Sequence, residues 1–465
     1  MQASSHVVAR LLGEWSSGHG AKHRRLAELI RLLILDGRLP LATVMPGERD
    51  LATVLGLSRT TVSTAYSTLR EQGFLSSGAR SRSHTLVPSR TVADRPETQP
   101  PGHGVIDFSH AAPSAPGEAL HRAYTRALDQ LPRHLPDHGY SAIGLAGLRT
   151  AIAERYTRRG LRTTADQILV THGAQHAIKL VVDTLLRPRD RVVVDHPTYP
   201  HALRALRSRS CRIVPVAVTD SGWDLDSLSA ATSGAAMAYL LPDFHNPTGL
   251  CLSEEARARL RLHCPVVVDE TMAELALDLT PPVPLAAYHP DVVTIGSAAK
   301  TFWGGLRVGW LRADADLVQR LGQARTETDL GSPVLEQLAC AELLGEIDQI
   351  LPGRLDELRQ RRALLRNLVA THLADWTLGL SMGGLSVWAR LAEPISSALA
   401  AVAPQFGVRL AAGPRFGVGG AFERFVRLPY SMEPAALTTG IAGIAEALAA
   451  VRTGRRTDTP PSALA

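Results

Sequence analysis

Residues 296–310 read GSAAKTFWGGLRVGW. The chain holds 50 Lys plus Arg, but lysine occurs only at Lys22, Lys179 and Lys300. A general preference for arginine accounts for that ratio. It does not say why a lysine stands at 300, on a largely apolar stretch with glycines close behind. Arginine stays charged at any working pH, whereas a buried lysine can lose its proton and condense with a carbonyl. The stretch therefore presents a primary amine as a candidate nucleophile.

Working outward, short β-type runs alternate with helical stretches from Ile168 onward: ILVT, RVVVD, RIVPVAV, MAYLL, PVVVDE and VVTIGS. That alternation predicts an α/β domain with a mostly parallel sheet covered by helices. Ligands in such folds lie at the carboxyl ends of the strands. After ILVT, a glycine turn leaves the backbone amides of Gly173, Ala174 and Gln175 at a helix N-terminus, an anion site. After RVVVD, Tyr199 stands between prolines in HPTYPHA, either packed or placed to stack on a flat ring. Asn246 in PDFHNPTG follows MAYLL, Asp269 ends PVVVD, and Ser297, Lys300 and Arg307 follow VVTIG.

One molecule needs all of these parts. Pyridoxal 5′-phosphate requires an amine for its aldehyde, an acid against its pyridine nitrogen and a donor to its phenolic oxygen. It also needs a stacking ring and a phosphate cradle. Lys300, Asp269, Asn246 and Tyr199 supply the first four, and the Gly173 turn with Ser297 and Arg307 supplies the cradle. The Asp269 charge is expected to keep the ring nitrogen protonated. Burial and nearby cations are expected to hold the Lys300 amine well below its reference value of ~10.4.

At 465 residues the chain is long enough for more than one domain. Cys211, Cys251, Cys264 and Cys340 lie far apart with no C-x-x-C pair, which argues against a zinc or disulfide framework and fits a cytoplasmic protein. The N-terminus MQASSHVVAR lacks the apolar core of a signal peptide, and no later apolar run is read as approaching the ~20 residues of a membrane span. Charge is uneven. Residues 1–90 hold twelve Lys/Arg and six Asp/Glu, and the remainder of the chain nets zero. A basic segment before a neutral one suggests a polyanion-binding module or a solvated basic face.

The proline-bearing stretch HTLVPSRTVADRPETQPPGHG (84–104) reads as a linker, and the tail from Thr453 as disordered. Ahead of the linker, KHRRLAELIRLLILDG (22–37) has helical spacing at Leu26, Leu29, Ile30, Leu33 and Ile34. GERDLATVLG (47–56) and LSRTTVSTAYSTLREQGFL (57–75) then form a helix-turn-helix, with Ser58 as N-cap and Val62, Ala65, Tyr66 and Leu69 inward. Its second helix would offer Arg59, Thr60, Thr61 and Ser63 to the major groove of double-stranded DNA. Arg80 and Arg82 would sit on a basic wing. The domain limits expected are 1–85, a linker at 86–104, 105–452, and a tail at 453–465.

LILDGRLPLATVMPGERDLATVLGLSRTTVSTAYSTLREQGFL resembles the winged helix-turn-helix of GntR-type bacterial regulators, which implies DNA contacts from Arg49, Ser58, Arg59, Thr60 and the wing. Here the approach reads PLATVMP without the usual glycine, and the wing tip is GARSRS. Residues 105–452 resemble fold-type I aminotransferases through THGAQ, DHPTYP, PDFHNPTG, VVVDE and SAAK followed by LRVG. The combination resembles the MocR subfamily of pyridoxal-phosphate-dependent regulators. The resemblance implies a homodimer in which Tyr140 of HGYSAIGLAGLR reaches the neighbouring subunit's phosphate. It implies that GGLSVWARL (383–391) lies in a small C-terminal domain, and that Arg427 of FVRLPY grips the carboxylate of an amino effector. Relatives carry tyrosine two residues after the ring-nitrogen aspartate; this chain has Thr271. Two functions follow as expectations: a regulator sensing the cofactor or an amino compound, or a working aminotransferase with an accessory DNA-binding domain.

Overall fold

The structure is a computed structural model that describes residues 3–12, 21–35, 39, 43–76, 83, 85 and 104–453. The chain divides into two compact units. One takes residues 1–107, 391–426 and 442–465, and the other takes 108–390 and 427–441. The expected linker, apart from Gly104, and the tail beyond Thr453 lie outside the described residues.

In the first unit, the described residues of the N-terminal domain form the helices α1 (Ser5–Leu12), α2 (Lys22–Leu35), α3 (Glu48–Leu55) and α4 (Arg59–Glu71). Helix α1 was not expected from the sequence. It is only two turns long, and Val8 and Leu12 join the same core as α2 to α4. The turn between α3 and α4 is made by Gly56 at φ 66°, a left-handed conformation that favours glycine. Ser58 caps α4, its Oγ accepting the Thr61 N–H at 3.1 Å. Val62, Ala65, Tyr66 and Leu69 are buried, as their spacing required. The wing is anchored by the Leu75–Thr85 bridge and by amide bonds from Met45 to Ser83 and from Thr85 to Thr43. Arg80 and Arg82 lie outside the described residues.

In the second unit an eight-stranded sheet carries the site. Its strands are β2 (Ile168–Thr171), β3 (Arg191–His196), β4 (Arg212–Thr219), β5 (Gly222–Trp223), β6 (Met237–Leu240), β7 (Val266–Asp269), β8 (Val292–Ser297) and β9 (Gly309–Arg312), β1 being the separate pair-forming Ile106–Asp107 of the first unit. The order is β2-β9-β8-β7-β6-β3-β4-β5. Strands β4, β3, β6, β7 and β8 run parallel, and β9 lies antiparallel between β8 and β2. Two reversals through β9 leave β2 parallel to β8. All six strands expected from the apolar runs are present. β9 was missed because its GWLR reads neither as an aliphatic run nor as an alternation. Ile168, Val170, Val193, Ala238, Val266, Val268 and Val292 belong to the central core.

The helix Pro434–Thr453 corrects the reading that no apolar segment approaches spanning length, because it is long and apolar enough to cross a membrane. Leu437, Ile441, Ile444 and Leu448 are buried at helical spacing while Glu446 is exposed, which is the pattern of a core helix. The four cysteines are free thiols.

Candidate cofactor site

The carboxyl ends of β2, β3, β6, β7 and β8 place the residues singled out from the sequence. Asp269 ends β7 and is 4% exposed. Its Oδ1 accepts the Thr271 N–H at 3.0 Å and its Oδ2 accepts the Tyr239 hydroxyl at 2.6 Å. Ser297 ends β8 and caps the short helix Ala298–Thr301, accepting the Ala299 N–H at 3.1 Å. That turn carries Lys300, whose Nζ donates to the Ala111 carbonyl at 2.7 Å. Burial, reinforced by the Arg427 and Arg307 guanidinium groups, lowers Lys300 to about 8 against the opposite pull of Asp269.

Past the end of β2, which β9 separates from β8, Gly173 caps helix α7 (Ala174–Leu185) with φ 84°; α5 (Gly117–Gln130) and α6 (Ala146–Arg158) precede it in the chain. The positive φ at Gly173 favours glycine, and a Cβ there would stand 2.9 Å from Arg307 Nη2. Arg307 itself has φ 51° and donates to the His172 carbonyl at 2.9 Å. The first amides of α7 have no intrahelical acceptor, and the Gln175 Oε1 is buried without a partner. Free amides at a helix N-terminus beside a guanidinium are the donors that an anion takes.

Tyr199 precedes helix α8 (Pro200–Ser208). Burial and the Asp269 charge push its phenol up to about 12, so it is a neutral ring at working pH. Its ring centroid lies 5.3 Å from that of His201. Asn246 accepts from Arg427 Nη1 at 3.2 Å, and the other Arg427 nitrogen donates to the Ser109 carbonyl. The PDFHNPTG loop is folded on itself by the bonds His245 N–H to Leu250 and Leu252 N–H to Pro242. Tyr140 is 64% exposed, and its described contacts are local ones with His138.

Three features escaped the sequence reading. Segment 109–111 crosses the site, with carbonyls on both Arg427 and Lys300. Tyr239, from within the apolar run MAYLL, reaches Asp269. Asp195, fully buried at the end of β3, accepts Trp223 Nε1 at 2.9 Å and the Leu241 N–H at 2.7 Å, and burial raises it to about 7. A charged or phenolic residue inside an otherwise apolar strand was the available signal for the last two.

Nitrogen and oxygen atoms of His172, His176 and Asp329 also converge, all within 4.8 Å. The His172 N–H donates to His176 Nδ1 at 3.2 Å, which leaves the ring proton on Nε2, 3.3 Å from Asp329 Oδ2. The contact to Asp329 is one of distance only: His176 Nε2 is buried without a hydrogen-bond partner among the described residues.

The chemistry of this donor set fits pyridoxal 5′-phosphate: an amine easily deprotonated, an ionisable carboxylate across the sheet ends, and an amide-and-guanidinium anion cradle. Residues 106–444 match the family "Aminotransferase class I and II", and residues 22–84 match "Bacterial regulatory proteins, gntR family". The chain belongs to the aminotransferase class I and II family and joins it to a GntR-type domain, the composition of MocR-type fusions. It is 26% identical over 470 residues to the uncharacterized HTH-type transcriptional regulator YisV of Bacillus subtilis, spanning 91% of this chain and 95% of that one. It is 28% identical over 449 residues to the uncharacterized regulator YdcR of Escherichia coli, spanning 87% and 94%. Among solved structures, the α-aminoadipate aminotransferase LysN of Thermus thermophilus, complexed with N-(5′-phosphopyridoxyl)-L-leucine, aligns with a TM-score of 0.69 at 26% identity. That alignment covers 76% of this chain and 94% of LysN.

The lowered Lys300 value gives a pH prediction. Only the neutral amine attacks an aldehyde, so cofactor uptake by the apoprotein should accelerate through a midpoint near 8 rather than near ~10.4. Asp269→Asn removes the one group that raises this amine and should move the midpoint lower. Stopped-flow absorbance across pH 6–10 measures both, and a midpoint unmoved by Asp269→Asn would contradict the assignment. The linked stability has a definite sign. The unfolded lysine binds more protons between about 8 and ~10.4, so this group makes the apoprotein more stable as pH rises through that window.

Proposed function

We propose that this chain is a DNA-binding transcriptional regulator whose aminotransferase-like domain holds pyridoxal 5′-phosphate on Lys300 and senses an amino compound there. The observation that carries the reading is one chain with a GntR-type helix-turn-helix and a half-buried lysine, lowered to about 8, among Asp269, Asn246 and Arg427. When bound, the cofactor supplies an electrophilic aldehyde and an electron-withdrawing ring. The residues do the rest. Lys300 gives up its proton and presents a nucleophilic amine. Asp269 holds a proton at the ring nitrogen, and Asn246 serves the phenolic oxygen. Tyr199 offers a neutral face. The Gly173, Ala174 and Gln175 amides with Ser297 and Arg307 take the phosphate, and Tyr140 of a second copy completes it in a homodimer. Arg427 takes the effector carboxylate in place of the Ser109 carbonyl.

Thr271 stands where tyrosine would tune the phenolic oxygen, which supports sensing over rapid turnover. On the DNA side Arg49 is exposed in the first turn of α3, and Ser58, Arg59 and Thr60 are exposed at the start of α4, with Thr61 half-buried. They are the residues proposed to meet the operator, with Arg80 and Arg82 of the wing on its phosphates.

The test is a gel-shift titration of the full chain on its own upstream DNA at two salt concentrations, with and without cofactor and amino acids. Arg59→Ala should relax base preference, whereas each lost phosphate contact should lower the log–log salt slope by about 0.9. Equal weak binding to random DNA would remove the regulator reading.

A further inference from the structure

Strand β6 reads MAYL, and its tyrosine is 2% exposed. A buried hydroxyl is costly unless it is hydrogen-bonded, and the Tyr239 hydroxyl donates to Asp269 Oδ2 at 2.6 Å. The register explains how it arrives there. Tyr239 pairs with Val267 in the parallel β6–β7 ladder, and Asp269 lies two residues further along β7. Side chains two apart share a face of the sheet. Phenol and carboxylate therefore rise from the same face at the same end of adjacent strands.

The second Asp269 oxygen accepts the Thr271 N–H at 3.0 Å. One donor on each oxygen fixes the rotation of the carboxylate. An O–H···O⁻ bond of 2.5–2.7 Å is the stronger, charge-assisted kind. Tyr239 acts as the proton donor throughout the working range, because burial and the Asp269 charge hold its phenol well above the usual value. Thr271, the residue that replaces the relatives' tyrosine, keeps its backbone role toward Asp269 while supplying no phenol. The hydroxyl bonded to the site's acid comes from β6.

We infer that Tyr239 is a positioning residue that orients the Asp269 carboxylate toward the ring nitrogen of the cofactor, without itself touching the cofactor. The inference rests on the cofactor assignment above. Its specific consequence is that removing the Tyr239 hydroxyl weakens only what depends on the ring nitrogen. Packing, the phosphate cradle and the Lys300 amine stay as they are.

The experiment compares two ligands on the full-length apoprotein: pyridoxal 5′-phosphate and its analogue with the ring nitrogen replaced by C–H. Affinities are read from ligand absorbance and tryptophan quenching, so no activity is needed. Tyr239→Phe should weaken pyridoxal phosphate about tenfold, the size of one hydrogen bond to a charged group. The analogue should change less than about twofold, within the spread expected for sites that do not interact. Asp269→Asn should lose the same preference for the natural ring, and adding Tyr239→Phe to it should cost nothing more. Equal weakening of both ligands by Tyr239→Phe would overturn the inference, since it would show a merely structural phenol. A further loss in the double variant equal to that in the wild-type background would also overturn it. If the wild-type chain takes up neither ligand, the cofactor assignment itself falls, and this inference with it. If Tyr239→Phe does not fold, the Asp269→Asn preference decides alone: an unchanged preference for the natural ring would overturn the role.

Discussion

Lys300→Arg should abolish the borohydride-stable adduct that the wild-type chain forms with pyridoxal phosphate, an all-or-none change. The substitution keeps a positive charge where Lys300 Nζ now donates to the Ala111 carbonyl, so electrostatic attraction for the phosphate persists. What disappears is an amine that can shed its proton near pH 8. The yellow absorbance should be lost in step, while noncovalent binding through the Gly173 turn remains measurable. Peptide mapping after reduction checks the site. Label on Lys22 or Lys179 would refute the assignment: Lys22 starts α2 of the DNA-binding domain, and Lys179 pairs with Asp183 on the exposed side of α7.

Arg257→Ala should destabilise the chain by about 3–5 kcal/mol, the cost of leaving a buried charge without its partner. Arg257 is fully buried, and its Nη2 lies 2.7 Å from Asp243 Oδ1. The same guanidinium donates to the carbonyls of Leu252, Val283 and Pro242. Pro242 and Asp243 begin the loop that carries Asn246, so a single arginine braces one wall of the cofactor site. Urea denaturation measures the loss. Arg257→Met combined with Asp243→Leu should recover most of it, because the pair then leaves no unpartnered charge. A loss below about 1 kcal/mol in the single variant would place this ion pair with weak surface ones.

The sequence by itself settled the sheet and its ligand edge. Six aliphatic runs spaced by helices leave few alternatives to a parallel sheet, and such a sheet must gather whatever follows its strands on one rim. The placement of Gly173, Tyr199, Asn246, Asp269 and Lys300 on that rim was legible for that reason, Asp269 ending β7 and the others following β2, β3, β6 and β8 within two to six residues. The recognition helix was legible because Ser58, Gly56 and the Val62–Leu69 stripe are local signals, written within one or two turns.

What depended on long-range pairing was not legible. Strand β9 is a strand only because β2 and β8 offer it two edges; its own residues express no preference. Segment 109–111 gives no sign that it will lie across Lys300, some 190 residues further along the chain. Tyr239 looked like one more apolar residue of β6 until the β6–β7 register set its hydroxyl against Asp269. Periodicity and capping are properties of neighbouring residues and can be read in order. Which buried donor meets which buried acceptor is decided by strand register and packing, so tertiary structure alone determined how the acid, the amine and the guanidinium of this site are held.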